Sequence, residues 1–359
     1  MNKNSEARHS IHQPPYSLPK YQSGVALIST LLVFAIATIL TAQMIGNNQA
    51  SLKRTQWIVD DAQAWQHALG AEALAHIKLQ QALTEKKPIN TLFLTRTYPT
   101  SQGRITVNTE DLQSRINLNN IVADGGYPAV VRRLFQQQGA PQVIEPLRDW
   151  IDADSQPTGS GVEDNHYQYL QPSYRTANRP ITDYHQLQAL AGASKDTVFR
   201  MKPYVSSLPI PLPININTAS ATVINAIAPN LDGEQVVSNR DSLLAVPVES
   251  SNSESLEGFQ SVESFLQSAA TAGIELDSSV LTVKSHWYAI LITARYGERT
   301  VTLKSRYNIG HDSETLTLWD RTSGLPIRHN TQEAFDASEP GQLTESPDEK
   351  DGTQSSSVF

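Results

Sequence analysis

The chain has 359 residues, 39% of them hydrophobic and 18% charged, enough for two folded units beside a membrane anchor. With 28 basic against 36 acidic residues and a net charge of −8, it lacks the positive excess on which general nucleic-acid affinity depends. It contains no cysteine. Thiolate metal sites, iron–sulfur clusters, thiol catalysis and disulfides are therefore excluded, and an exported domain must rest on its core or on bound metal.

Residues 1–24 are polar, interrupted by Pro14, Pro15 and Pro19, and predict no stable structure. Lys3, Arg8 and Lys20 against Glu6 give this leader a positive excess, which points to a cytoplasmic N-terminus with the bulk of the chain across the membrane. No charged residue occurs between Lys20 and Lys53. A membrane-spanning helix needs about 20 apolar residues, and Val25–Ile45 supplies them, so one N-terminal span is predicted. Two processing schemes fit the run itself. A signal-peptide cut could follow Ala35-Ile36-Ala37, although the apolar run continues to Ile45; alternatively the cut precedes the run, after Gly24, and the whole span is kept.

The spacing of Ile58, Ala62, Trp65, Leu69, Ala73 and Ile77 predicts that the helix continues to about Leu83 as an amphipathic stem. Lys86-Lys87-Pro88 is its expected stop. Gly103–Asn108 and Ser114–Leu118 alternate as short strands. From Ile121 the pattern turns helical, over Pro128–Gln138, Ile144–Ile151, Thr182–Leu190 and Ser194–Met201, and residues 203–214 read as an extended connector. Asn217-Thr218-Ala219 is the expected cap of a helix ending near Ile227, and a further helix covers Val262–Ala270, after a Ser/Glu/Asn-rich loop at Pro247–Gly258. Val280–Arg295, Thr300–Asn308 and Glu314–Trp319 predict a late β-meander with a tight turn at Gly297-Glu298. The remainder, 327–359, is acidic and poor in large apolar residues, the composition of a disordered tail. Early and late strands must share one sheet to bury their apolar faces, which makes the helical block an insertion into a small α/β domain.

The densest group of carboxylates is Asp149-Trp150-Ile151-Asp152-Ala153-Asp154, followed by Gly159 and Glu163-Asp164. Calcium takes six to eight oxygens from irregular loops. Counting from Asp152 puts acids at positions 1, 3 and 12 of a loop, as in an EF-hand, but Pro157 stands where that loop needs glycine. A solvated acidic loop fits the composition equally, and Asp152 with Glu163 would also suit a hydrolytic carboxylate pair. Neither H-E-x-x-H nor G-x-S-x-G occurs, nor a phosphate-cradling glycine loop. Ile214–Ser220 resembles a helix-hairpin-helix DNA-binding segment, as in membrane-anchored DNA receptors, but the Pro229–Glu234 stretch after it is acidic where phosphate would lie.

Gln22-Ser23-Gly24-Val25-Ala26-Leu27-Ile28 resembles a type IV prepilin cleavage site. The fifth residue after the cut is Ser29, where most such proteins have Glu. Asp111–Asn120 resembles a D-x-x-G-R-x-N-L-N junction with Ser114 in place of glycine, and D-W-I-D-x-D through Tyr167, Tyr169 and Pro172–Asn178 resembles a calcium-loop block. In this order the motifs resemble the type II secretion minor pseudopilin family, general secretion pathway protein K. The resemblance implies an α+β pseudopilin fold: a stem helix over 25–87, a small antiparallel sheet from 100–119 and 280–320, and a large inserted α-helical, SAM-like domain over 120–272, in two helix-hairpin-helix-like units, 120–207 and 214–272. It implies cleavage between Gly24 and Val25 by prepilin peptidase with methylation of Val25, and calcium held by Asp152, Asp154, Glu163 and Asp164. The role implied is structural, not enzymatic. The protein would sit in the bacterial inner membrane with its bulk in the periplasm, joining other minor pseudopilins at the pseudopilus tip and working with the inner-membrane secretion machinery, with no nucleic acid.

Overall fold

The computed structural model describes residues 23–85, 95–244, 258–310 and 315–324. The leader up to residue 22, the stop at Lys86–Pro88, most of the Pro247–Gly258 loop and the tail 327–359 lie outside the described residues. By contact the chain forms two units, Met1–Ala62 and Gln63–Phe359. Helix α1, Ser23–Thr84, contributes to both.

In the first unit, α1 is long and apolar enough to cross a membrane. Its few hydroxyls turn back onto the helix: Ser29 donates to the Val25 carbonyl (2.7 Å), Thr38 to Phe34 (3.0 Å) and Thr41 to Ala37 (2.7 Å). A hydroxyl satisfied within its own helix does not add an unpaired group in hydrocarbon.

In the second unit, the later part of α1 lies on a five-stranded antiparallel sheet through Ala64, Ala68, Glu72, Leu79 and Ala82, all buried. This face is rotated from the one the periodicity predicts. Ala73 and Ile77 are exposed, and Trp65 and Leu69 only flank the contact. Small Ala64 and Ala68 allow the helix axis close to the strands, so the seam follows the alanines rather than the bulkiest residues. Glu72 sits in this seam and accepts from the hydroxyls of Ser305 and Tyr307 and from Arg321.

Strands β1 (Arg96–Thr100) and β2 (Gly103–Asp111) precede the insertion. Pro99 hides β1 from a sequence reading, because proline is confined to edge strands; β1 is at the sheet edge. The insertion starts with β3, Ile116–Asn117, all that forms of the strand expected at Ser114–Leu118. It continues through α2 (Tyr127–Gln137), α3 (Ile144–Ile151), α4 (Asp164–Tyr167), α5 (Lys195–Met201), β4 (Val205–Ser206), β5 (Ile214–Asn215), α6 (Ala221–Asn225), α7 (Gly233–Leu244), α8 (Val262–Leu266) and β6 (Leu281–Thr282). The sheet resumes with β7 (Trp287–Tyr296), β8 (Arg299–Ile309) and β9 (Leu316–Gly324). Its order is β1-β2-β7-β8-β9. Early β2 and late β7 pair from Gly103↔Tyr296 to Asp111↔Tyr288, so the helical block is an insertion between two neighbouring strands. Gly297, at φ 54°, turns β7 into β8. Both faces of β7 are buried. Tyr288, Ile290, Ile292 and Ala294 face the α1 cluster, while Trp287 and Ala289 pack with Leu112 and Leu208.

The insertion uses one device twice. Ile116-Asn117 pairs in parallel with Val205-Ser206, and Ile214-Asn215 with Leu281-Thr282. Two residues after the end of the first strand of each pair, an asparagine clamps a distant backbone. Asn119 donates to the Ile181 carbonyl (2.9 Å) and accepts from its N–H (2.8 Å). Asn217 does the same to Phe259, both at 2.9 Å. Asn217 is therefore not the cap expected for the next helix; Ser220 caps α6 by accepting from the Val223 N–H. The expected helix at Thr182–Leu190 is a 3-10 turn capped by Asp183. Helix α7 was not predicted, because its acidic Gly233-Glu234 start reads as a loop. Asp232 accepts there from the N–H groups of Glu234 and Gln235 and so starts the helix. One apolar cluster runs through the insertion, with Leu134, Phe135, Leu147, Tyr167, Met201, Ile224 and Phe265 all fully buried. Burying each such Leu, Ile, Phe or Met side chain contributes about 1.5–3 kcal/mol.

Candidate metal centre

Helix α3 ends where the acidic loop begins. Its C-terminal Trp150 is buried and meets Tyr167 edge-on (5.4 Å between ring centres), and Tyr167 stacks on Tyr174 (5.2 Å). These rings form the apolar floor beneath residues 152–163. The Tyr167 hydroxyl accepts from the Ala191 N–H (3.2 Å), and burial pushes its phenol up to about 12.

On this floor the chain brings Asp152, Asp154 and Glu163 together. One carboxylate oxygen from each lies within 4.8 Å of the others. Glu163 is only 5% exposed, and neither of its oxygens has a hydrogen-bond donor; Asp152 Oδ1 is likewise buried and unpartnered. Burial raises the Glu163 carboxyl above the usual range, and the neighbouring Asp149, Asp152 and Asp154 raise it further. Asp152 is raised by burial first and then by Asp154 and Asp149, with Arg148 opposing. Converging, partly desolvated carboxylates without an ion pair repel one another, and a hard divalent cation removes that repulsion. The donor set is all oxygen in an irregular loop, which fits calcium.

The other acids in the cluster do something else. Asp149 is fully buried and accepts from the Thr158 N–H with both oxygens (3.0 and 3.2 Å). Gly161 passes so close that a Cβ there would lie 2.0 Å from Asp149 Oδ2. Asp164, grouped with the ligands by the family resemblance, turns to Thr176, accepting from its N–H (2.9 Å) and its hydroxyl (2.7 Å). Those two bonds hold its carboxyl below the ordinary range. Asn178, at φ 44°, donates to the Asp154 carbonyl and so holds the far arm against the loop. Thr176 and Asn178 fall in the Pro172–Asn178 part of the calcium-loop block, but the sequence did not say which residues they bond, since both bonds depend on the chain folding back over the loop. In the first unit, Gly24, Val25 and Ser29 all lie within α1.

A long, apolar-started helix laid on a small antiparallel sheet is the architecture of a pilin-like protein, here with a large helical insertion and an acidic loop within it. Two family models described as type II secretion system (T2SS), protein K, match residues 114–210 and 214–284. The type II secretion system protein K of Pseudomonas aeruginosa is 32% identical over 331 residues, covering 85% of this chain and 95% of that protein. That of Aeromonas hydrophila is 29% identical over 331 residues, covering 83% and 96%. A chain in the crystal structure of the GspK-GspI-GspJ complex from enterotoxigenic Escherichia coli Type 2 Secretion System superposes with a TM-score of 0.62. It is 22% identical, with 76% of this chain and 99% of that one covered. The chain belongs to the type II secretion system protein K family.

Proposed function

We propose that the protein is a non-enzymatic minor pseudopilin. It caps the tip of the type II secretion pseudopilus, helps to start its assembly and so supports export of folded proteins across the outer membrane. The observation that carries this reading is the identity to protein K of Pseudomonas aeruginosa across nearly the full length of both chains. Its partners are other minor pseudopilins, of the kind with which the Escherichia coli neighbour forms its complex, together with the inner-membrane secretion machinery. Prepilin peptidase removes the leader between Gly24 and Val25, and α1 then holds the protein in the inner membrane with its bulk in the periplasm.

Ser29 supports the tip position. A subunit added beneath another can use a carboxylate at this place to meet the terminal amine above it. A tip subunit has no amine above, and an unpaired carboxylate in the bilayer costs about 3 kcal/mol. The Ser29 hydroxyl has no such cost, because it bonds to Val25 of its own helix. In the periplasmic part, Asp152, Asp154 and Glu163 hold calcium, which neutralises their charge and fixes the loop.

The test is the N-terminus of the membrane-bound protein in cells with and without prepilin peptidase. A start at Val25 that depends on the peptidase, together with loss of exoprotein export on deletion, is expected. A start at Met1 or Thr38 in peptidase-positive cells refutes the pseudopilin processing.

A further inference from the structure

The hydrogen-bond inventory of the acidic loop divides its carboxylates into two sorts. Glu163 is buried with both oxygens unpartnered, Asp152 has one buried oxygen unpartnered, and Asp154 accepts only from the Gln156 N–H through Oδ1. One oxygen from each of the three lies within 4.8 Å of the others. Asp149 and Asp164 are different: each is committed to backbone at a distance, Asp149 to Thr158 nine residues on and Asp164 to Thr176 twelve residues on. We propose that Asp149 and Asp164 are clasps and not ligands. They close the two arms of the loop and thereby bring Glu163 to Asp152 and Asp154.

The geometry of each clasp shows what it does. Asp152 and Asp154 lie in the span between Asp149 and Thr158. With that bond made, the chain doubles back over α3, and Gly161 passes the carboxylate at a distance no side chain would allow. Glu163 follows two residues later. The second clasp starts one residue beyond Glu163. Asp164 draws in Thr176, and two residues past Thr176, Asn178 reaches the Asp154 carbonyl. The ligand group is therefore bracketed on both sides by a carboxylate that accepts a backbone N–H. Residues that orient ligands without touching the ion commonly affect metal affinity by about 10- to 100-fold when lost.

This inference rests on the calcium reading of the site, and the test separates the two. Calcium alone is titrated calorimetrically into the full-length, detergent-solubilised protein and its variants. Asn keeps an oxygen that accepts an N–H, so D149N and D164N are expected to bind with affinity within a few-fold of the parent and with unchanged stoichiometry. D149A and D164A lose the clasp and are expected to bind about 10- to 100-fold more weakly, still with unchanged stoichiometry. D152N and E163Q remove ligand charge and should not be rescued by their isosteric shape. G161A forces the Asp149 contact apart and should resemble D149A; the double variant D149A/G161A should be no weaker than the worse single one. If D149N or D164N falls as far as D152N, that residue is a ligand and the proposal is overturned. Parent-like affinity in D149A or D164A also overturns it. A parent protein that takes up no calcium refutes the metal reading itself.

Discussion

Glu72 is the point at which the stem helix is fixed to the sheet, and its removal should be costly in a calculable way. The carboxylate is 3% exposed and accepts from Ser305, 0% exposed, from Tyr307, 4% exposed (3.1 Å), and from Arg321 through Nε (3.0 Å) and Nη2 (2.7 Å). In E72A the two hydroxyls stay buried without their acceptor, at about 1–3 kcal/mol each. Arg321 is 42% exposed and can return to water, so its share is small. The sum is about 2–6 kcal/mol, which brackets the usual cost of about 3–5 kcal/mol for breaking a buried pair from one side. E72Q keeps an acceptor oxygen for the hydroxyls and should lose only about 1–2 kcal/mol. R321A should cost less than E72A, because the hydroxyls keep their partner. Urea unfolding of the full chain in detergent, followed by tryptophan fluorescence, measures all three. If E72A unfolds within about 0.5 kcal/mol of the parent, as an ordinary surface change would, the seam does not depend on this network.

Further outcomes follow from other sites. Calcium should stabilise the Gln63–Phe359 unit by about 2.7 kcal/mol at a free concentration a hundred times its Kd; a chelator should reverse this in the parent and have no effect in E163Q. The Asp152 and Glu163 carboxyls are raised above their ordinary values, by burial first and then by neighbouring carboxylates, so without calcium their charged forms weigh against folding at neutral pH and this cost is relieved as pH falls through the raised values. Protons and calcium compete for the same oxygens, and calorimetric affinity should fall over that same window. N119A and N217A each leave a buried N–H and C=O unpaired and should each cost about 2–4 kcal/mol in a urea melt. S29A should leave export unchanged, whereas S29E should impair pseudopilus initiation; an S29E strain that assembles and exports normally would remove the tip argument from Ser29. A68L should overpack the seam by about 1–3 kcal/mol, and I77S should stay within about 0.5 kcal/mol, the reverse of what the periodicity of α1 suggests.

The large divisions were legible because they rest on burial. Val25–Ile45 has no alternative to a long apolar helix, and the late strands need a partner that only the early strands provide. The β2–β7 register follows from that need. What escaped the sequence was decided by side chains bonding to backbone far along the chain. Asn217 reads as a helix cap because an amide before Ala219 and Ser220 has that capacity; its engagement with Phe259 depends on a fold-back 42 residues long. The bonds from Thr176 to Asp164 likewise join residues twelve apart, which spacing alone does not reveal. The stem face was misjudged for another reason: apolar size predicts burial where space is free, and a helix pressed on a sheet prefers alanine.

The insertion raises a mechanical problem that the junction answers. A helical block joined to a sheet by thin connections would swing, and a swinging domain would pass little force from the stem. Asp111 stands at the last residue of β2, where the insertion departs. It accepts from Gln113 just beyond (2.8 Å), from Asn215 (3.1 Å) and Thr218 at the start of the insertion's second half, and from Ser285 (2.7 Å) just before the chain rejoins the sheet. A single buried carboxylate thus ties the departure, the middle and the return of the insertion. Its burial raises it above the ordinary carboxylate range, a cost to stability at neutral pH that the four donors offset in part. Gln113 adds a bond to the Pro213 carbonyl (3.0 Å), and Asn117 and Asn120 hold the 208–212 connector through its own N–H and C=O groups. With Glu72 fixing α1 to β8 and β9, and Asp111 fixing β2 to the insertion, bonded contacts link the Gln63–Thr84 part of the stem helix to the helical block through the sheet. D111N removes charge and keeps shape, but its amide cannot accept at both oxygens. It should therefore loosen both units of the insertion together, seen as faster amide exchange at Thr218 and Ser285 alike. Faster exchange at one of them alone would mean that the two connections are independent and that the carboxylate is not their common anchor.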